Sequence, residues 1–346
     1  MIRWIGAGAE PLGADQAGGK GRALDELHRL GARVPPAFVL TADAYRDAVS
    51  GDGGLAEEIG SLVAAIGEDT EALEEISARV RRLVFDGTAG HAADAELRAA
   101  YRELGADAAV AVRSSSVAED SAERSFAGEH DTYLWVSGED AVSEAVRRCW
   151  ASLFTARAIS YRGVAHGDDA MAVVVQQMVD ATASGVFMTL NPANGDRSKI
   201  VVESVWGLGE PLVSGQVNPD RFMIDKVTRE ILDRAVADKP SRAVRDPTTG
   251  IGTAVVAVPD ADRNRPSLTD EQLDELVDLA RRVERHAGRP QDGEFALDHG
   301  RLYLLQSRPE TAWSARPAQS VTGGGSSDAL THVIAALSGD RTRGLR

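Results

Sequence analysis

Apolar positions along the chain take helical spacing in some stretches and short continuous or alternating runs in others, and the two kinds interleave. Leu24, Leu27 and Leu30 follow Gly18-Gly19-Lys20-Gly21 at helical spacing, until Gly31 and Pro35-Pro36 stop the element. Phe38-Val39-Leu40 then reads as a short strand. Residues 54–104 carry acidic helical patterns broken by Gly and Asp, with no obvious chemistry. Ala108 to Val112 is a run of buried-strand type that delivers Arg113-Ser114-Ser115-Ser116 at its end. A long amphipathic helix opens at Ser137, with Glu139 and Asp140 in the first turn, where the helix dipole favours negative charge. Its apolar face is Val142, Ala145, Val146, Cys149, Trp150, Leu153 and Phe154.

Strands follow at Met171 to Met178, Gly185 to Leu190 and Ile200 to Val202, with Asn191 to Asp196 as a hairpin-type loop. Residues 222–233 suggest another pair, and 238–266 read as a Pro/Asp/Arg-rich connection. Thr269-Asp270-Glu271-Gln272 has capping-box spacing and opens a helix through Leu273, Leu276, Leu279 and Val283 to Gly288. Gly293 to Leu297 and Arg301 to Gln306 form a last pair of strands around the tight turn Asp298-His299-Gly300. After Pro309 the pattern fades into a stretch containing Gly323-Gly324-Gly325-Ser326-Ser327, which reads as a linker or loose tail. The whole predicts an α+β protein.

Composition narrows the functional classes. A length of 346 residues suits two or three packed lobes. With 43% hydrophobic and 26% charged residues, wholesale disorder is excluded. A net charge of −15 argues against a general binder of nucleic acid or anionic membrane. The single cysteine, Cys149, cannot form an internal disulfide, and its place on an apolar helix face reads as core. The first residues lack the apolar stretch of a signal peptide, and no run approaches the ~18 apolar residues of a membrane span. A soluble, cytoplasmic protein is the expectation. Only four basic residues are lysines: Lys20, Lys199, Lys226 and Lys239. Lys20 stands out because it sits among glycines.

Four clusters could carry chemistry, and each also fits a plain structural role. Gly18-Gly19-Lys20-Gly21 at a helix start offers close backbone approach, free N–H groups and a mobile charge for a phosphate, yet it also fits a simple turn. It is not a Walker A loop. Arg113-Ser114-Ser115-Ser116, with the Ser/Gly-rich stretch up to Thr132, fits a strand-end phosphate fork under a covering loop, or a surface loop with capping serines. In the C-terminal hairpin, Asp292, Glu294 and Ala296 share one strand face, as do Leu304, Gln306 and Arg308. The turn would set Glu294 near Gln306, oxygen ligands of the kind Mg²⁺ accepts beside a polyphosphate. The alternative is a solvated edge hairpin. The run Ala172-Val173-Val174-Val175-Gln176-Gln177-Met178-Val179 could offer a strand edge to a purine, or be core. The seven histidines show no metal-binding spacing, and no nucleophile constellation is convincing.

Taken together and in this order, the clusters resemble the ATP-binding domain of the phosphoenolpyruvate synthase and pyruvate phosphate dikinase family, to which rifampicin phosphotransferase also belongs. The resemblance covers roughly residues 4–314. It runs through Gly18-Gly19-Lys20-Gly21, Val34-Pro35-Pro36-Ala37-Phe38, Val112-Arg113-Ser114-Ser115 and Ser125-Phe126-Ala127-Gly128, and continues through Gly185-Val186-Phe187-Met188-Thr189, Trp206-Gly207-Leu208-Gly209-Glu210 and Leu304-Leu305-Gln306-Ser307-Arg308-Pro309. It implies an ATP-grasp fold with ATP in a cleft between an N-terminal lobe (1–168) and a C-terminal lobe (169–312), followed by a tail (313–346). It implies Lys20, Arg113 and Arg308 on the phosphates, and Gly128 and Thr132 in a covering loop. Adenine would meet the backbone at Gln177 and Val179 near Gln176, and Glu294 and Gln306 would bind Mg²⁺ or Mn²⁺.

The family's dikinases pass the β-phosphoryl group of ATP to a histidine in a Gly-Gly-x-x-[Ser/Thr]-His motif of a separate domain. Here Gly323-Gly324-Gly325-Ser326-Ser327 runs into Asp328, and His332 comes too late to fit that motif. Gly293 also departs from the branched apolar residue usual in relatives. The expectation is therefore the ATP-binding subunit of a split dikinase, with a separate phosphohistidine-domain partner and a small-molecule acceptor. A self-sufficient ATP-grasp kinase or ligase, and a non-catalytic nucleotide-binding module, are the alternatives.

Overall fold

The computed structural model of the chain describes residues 1–51, 54–66, 70–117, 132–162 and 170–313. Gly128, the Glu119-Asp120 pair, His332 and the tail lie outside the described residues.

Two antiparallel sheets carry the architecture. The first contains β1 (Ile2–Trp4), β2 (Ala37–Leu40), β3 (Val110–Ser116), β4 (Thr132–Val136) and β5 (Met171–Gln177), in the order β1-β2-β5-β3-β4. The second begins with β6 (Ala183–Met188), β7 (Lys199–Trp206), β8 (Asp220–Asp225) and β9 (Ile231–Ala235). A separate hairpin follows, β10 (Ser241–Arg245) and β11 (Thr253–Ala257). Then β12 (Gln291–Asp298) and β13 (Arg301–Pro309) complete the second sheet, whose order is β13-β12-β6-β7-β8-β9. The helices are α1 (Ala14–Arg29), α2 (Ala42–Ser50), α3 (Leu55–Ala64), α4 (Thr70–Gly87), α5 (Asp94–Gly105), α6 (Glu139–Ala151), α7 (Ala156–Arg162), α8 (Glu210–Val213), α9 (Asp260–Arg263) and α10 (Asp270–Ala287). The first sheet takes strands from both sides of residue 168, because β5 pairs with β2 and β3; the chain enters the second sheet only after Gln177.

Residues 1–311 form one compact unit. Within it α1 belongs to both cores, burying Leu24 under the first sheet and Leu27 under the second. Beyond its end, Arg33 accepts a hydrogen bond from the Leu304 amide on β13 (2.9 Å) and donates one to the Leu302 carbonyl (3.2 Å). The whole expected face of the helix opened at Ser137 is buried, its last two members in a short 3₁₀ turn after α6. Cys149 is among them, and Trp150 donates its indole N–H to the Met171 carbonyl. On α10 the capping box forms between Thr269 and Gln272, and Gly288 ends the helix at φ +68°.

The 238–266 connection is more ordered than its composition suggests. Residues flanked by Pro240 and Gly252 pair as β10 and β11, and Ala243 docks against Gly207 and Leu208, whose amide donates to the Ala243 carbonyl. That contact is tertiary, so no local pattern announces it. β1 and α2 were likewise not evident from the sequence pattern.

Two buried carboxylates fasten the frame. Asp220 is wholly buried and accepts from Lys239 Nζ at 2.6 Å, from the Ala237 amide, and from the amide and hydroxyl of Ser267. Asp25 accepts from the Gly6 and Leu12 amides and from Arg29 Nε, holding the loop after β1 to α1. Burial alone raises the Asp25 carboxyl, but those hydrogen bonds outweigh it and hold it below the ordinary value. A carboxyl depressed by folding stabilises the protein above its unfolded value and loses that contribution as pH falls through the folded one. Stability of the wild type is therefore expected to decline as pH drops below about 4, and Asp25→Asn to flatten that decline in urea titrations. Lys239→Met, which strands the buried Asp220 carboxylate, is expected to cost about 3–5 kcal/mol by the same measurement. Removing the exposed pair Asp238–Arg263 should cost less than about 1 kcal/mol.

Candidate functional site

The glycine-rich start of α1 is shaped by β3. Gly18 is non-helical (φ +65°, ψ 177°), and a Cβ there would lie 2.2 Å from the Ser115 carbonyl oxygen. Only glycine allows both the left-handed backbone and that approach. The Ser115 hydroxyl accepts from the Gly21 amide (3.2 Å) and donates to the Ala17 carbonyl (2.8 Å), closing the kink from both sides. Ser115 thus fixes the loop that presents Lys20. α1 itself starts earlier than the glycines, at Ala14, with the kink inside it.

On the second sheet the turn at His299-Gly300 has φ of +45° and +74°, the signature of a type I′ hairpin, with Asp298 paired to Arg301. A regular ladder from that turn would put Glu294 opposite Leu305. A bulge between Glu294 and Phe295 absorbs Leu305, so that Glu294 pairs with Gln306 and Asp292 with Arg308. The bulge corrects the face expected for Leu304. It is buried in the second core with Phe295, while Leu305, Gln306 and Arg308 face the cavity described next. Gly293 also finds its reason here: a Cβ would lie 2.2 Å from the Phe187 ring. The branched residue usual in relatives has no room beside that phenyl group.

A cavity of about 620 Å³ opens where the two sheets approach. Its lining includes Lys20, Arg113, Thr132, Gln176, Gln177, Val179, Glu294, Gln306 and Arg308, so every described residue that the resemblance assigns to the nucleotide or the metal reaches one space. Ala111, Leu134, Met178, Ala181, Leu208, Ala296 and Leu305 supply apolar wall. Glu210, at the start of α8, and the Ser184-Gly185 pair also line it, and the pairing of β6 with β7 and β12 that brings the pair there is not legible in residue spacing alone.

Arg113 is the centre of the polar network, with its side chain 11% exposed. Nη1 donates to Gln176 Oε1 and to the Leu305 carbonyl, both at 3.0 Å, and Nη2 donates to Gln306 Oε1. Glu294 Oε2 stands 3.7 Å from the same Nη2. Arg308 is held by Asp292 at 2.7 Å. Gln176 is buried with its oxygen committed to Arg113, and its Nε2 is a buried donor with no partner among the described residues. At the end of β5, the Gln177 amide donates to Pro36 and the Met178 amide to Ala109, whereas the Val179 N–H makes no hydrogen bond among the described residues.

The donor set fits a hard divalent cation. Glu294 and Gln306 are register partners whose oxygens converge on one cationic nitrogen, and Mg²⁺ takes few protein oxygens when phosphates and water complete its shell. Among the described residues no cluster of three or more His, Cys, Asp or Glu could hold a metal by protein ligands alone. Among them also, no helix is long and apolar enough to cross a membrane.

A family model described as pyruvate phosphate dikinase, AMP/ATP-binding domain, matches residues 14–326. The chain is 42% identical over 306 residues to a probable phosphoenolpyruvate synthase of Methanocaldococcus jannaschii, covering 86% of this chain and 26% of that protein. It is 41% identical over 313 residues to the prodigiosin synthesizing transferase PigC of Serratia marcescens, covering 90% and 33%. With the phosphoenolpyruvate synthase of Aeropyrum pernix it shares 37% identity over 370 residues, covering 92% and 43%. The chain spans less than half the length of each of these relatives. A crystal structure of D-alanyl-alanine synthetase A from Vibrio cholerae, 14% identical, aligns with 62% of this chain and 46% of that one at a TM-score of 0.27, too distant to bear on the fold.

Gly18→Ala is expected to lower stability by more than about 1 kcal/mol, through the positive φ and the clash with Ser115 together. Gly60→Ala, inside α3 where a Cβ meets open space, should not lower it. Thermal melts of the two variants check the difference.

Proposed function

The chain belongs to the pyruvate phosphate dikinase AMP/ATP-binding domain family, and on that premise we propose that the cavity is an ATP-grasp nucleotide site serving a dikinase. The observation that carries the reading is the convergence of Lys20, Arg113, Arg308, Glu294 and Gln306 on one cavity that also has a strand-end N–H and a buried amide donor. In a chain of net charge −15, a cavity with three cationic residues suits a polyanion.

Lys20, Arg113 and Arg308 hold the phosphate oxygens. Thr132, expected in a covering loop, is instead the first residue of β4 and pairs with Arg113, while Gly128, outside the described residues, is assigned to the covering segment. The Val179 N–H and the Gln177 backbone meet the adenine edge, and Gln176 Nε2 donates to a ring nitrogen. Glu294 and Gln306 would hold Mg²⁺ or Mn²⁺, which neutralises phosphate charge when bound. Arg308 keeps its guanidinium beside the hairpin through Asp292, and Arg113 is held by neutral oxygens on both sheets. With its ion-pair partner Glu294 engaged by the metal, its charge would be available to an incoming phosphate. Catalysis by this chain is positioning and charge neutralisation.

The reaction assigned is the dikinase half-reaction. ATP, water and a histidine of a partner phosphohistidine domain give AMP, phosphate and phosphohistidine, and the phosphoryl group passes on to a small-molecule acceptor. The greater length of the relatives supports a partner domain that supplies that histidine. A directly acting kinase would give ADP instead.

³¹P NMR of ATP turnover with a purified phosphohistidine-domain protein is expected to show AMP and inorganic phosphate. Glu294→Ala should slow their appearance by about 10²-fold or more. ADP as the product would replace the dikinase reading with direct phosphoryl transfer. Turnover unchanged in Glu294→Ala would remove the assignment of the hairpin.

A further inference from the structure

A second cavity, of about 450 Å³, lies on the other side of the Trp206–Glu210 segment. Its apolar wall comes from Trp206, Leu208, Pro211 and Val255, and its charged lining is Asp238, Lys239 and Arg242. Two of these three charges are already matched. Arg263 holds Asp238 through two hydrogen bonds of 2.9 and 2.6 Å, and Lys239 is locked to the buried Asp220. Arg242 is different. It is half-buried, its side chain makes no hydrogen bond or ion pair among the described residues, and its Nε is buried without a partner. The cavity therefore carries one guanidinium without a carboxylate partner among the described residues, beside an indole and aliphatic walls, while the other two charges of its lining are paired.

We propose that this cavity binds a small organic carboxylate, separately from the nucleotide cavity. A planar guanidinium matches the two oxygens of a carboxylate. A phosphate dianion would carry more charge than the single free guanidinium balances and would be repelled more strongly by the Asp238 carboxylate in the same lining, whereas a monocarboxylate matches that one charge. The indole of Trp206, fixed by its hydrogen bond to the Asp262 carbonyl, and the side chains of Leu208 and Val255 suit an apolar or aromatic body. The volume lies within the range of small-molecule pockets, about 300–1,000 Å³. The site also touches the first cavity. Leu208 lines both, and its amide is held by the carbonyl of Ala243, the residue after Arg242. A ligand on Arg242 therefore sits against the back of the proposed nucleotide wall.

Ligand-observed NMR titrations with benzoate, benzyl alcohol and inorganic phosphate test this on the full chain. Saturable benzoate binding is expected, with benzyl alcohol and phosphate each at least about tenfold weaker. Arg242→Gln should weaken benzoate at least about tenfold with an unchanged circular dichroism spectrum. Val255→Trp, at a position 71% exposed on the rim, should also weaken it by filling the mouth without touching the core. The proposal is overturned if benzoate fails to saturate, if benzyl alcohol or phosphate binds as well, or if both variants bind benzoate like wild type. Loss of benzoate binding in Lys20→Met would overturn it too, since the probe would then occupy the nucleotide cavity.

Discussion

The Arg113 guanidinium is the one group on which the arrangement of the site depends. It rises from the first sheet and donates to Gln176 on that sheet and to Leu305 and Gln306 on the second. A guanidinium this little exposed must be met by acceptors, and removing any of them leaves a buried donor at a cost of about 1–3 kcal/mol. The same network therefore sets the distance between the sheets and fixes the side chains that line the cavity. Its hydrogen-bond acceptors are uncharged oxygens, and the Glu294 carboxylate pairs with it at 3.7 Å. The guanidinium is thus oriented by neutral groups and balanced by a carboxylate that belongs to the same site.

Around that group, backbone features do the positioning. The Gly18 kink lies against the Ser115 carbonyl, two residues along β3 from Arg113, so the lysine loop and the arginine are set by the same strand. The Leu305 bulge turns Gln306 and Arg308 to the cavity while Leu304 stays in the core. Helix α1, shared between both cores, links the glycine loop to the hairpin. A small change at Gly18, Ser115 or Leu305 would move several site residues together.

Much of this was legible in the sequence, and the exceptions have physical causes. Long periodic elements such as α6 and α10 announce themselves through an apolar face and caps, and the site motifs stand out because glycines, a strand-end arginine and in-register polar residues are rare where a core pattern expects apolar ones. The bulge at Leu305 is invisible because it depends on how β12 pairs with its neighbours. Ser184 reaches the cavity through sheet pairing and Glu210 from the short helix α8 that follows β7, and the β10–β11 hairpin docks on Gly207 and Leu208. The role of Ser115 was hidden by composition, since its hydroxyl serves backbone atoms of another element. Arg242 stands out only when the partners of its charged neighbours are counted.

The central claim is that the Arg113-centred cavity receives the nucleotide with its base at the end of β5. The Val179 N–H makes no protein hydrogen bond among the described residues, so a base seated there would give it one. Backbone amide hydrogen exchange at Val179, measured with and without saturating AMP, tests this most directly. Slowed exchange at Val179 on binding is the predicted result. Saturable AMP binding that leaves Val179 exchange unchanged would contradict the account.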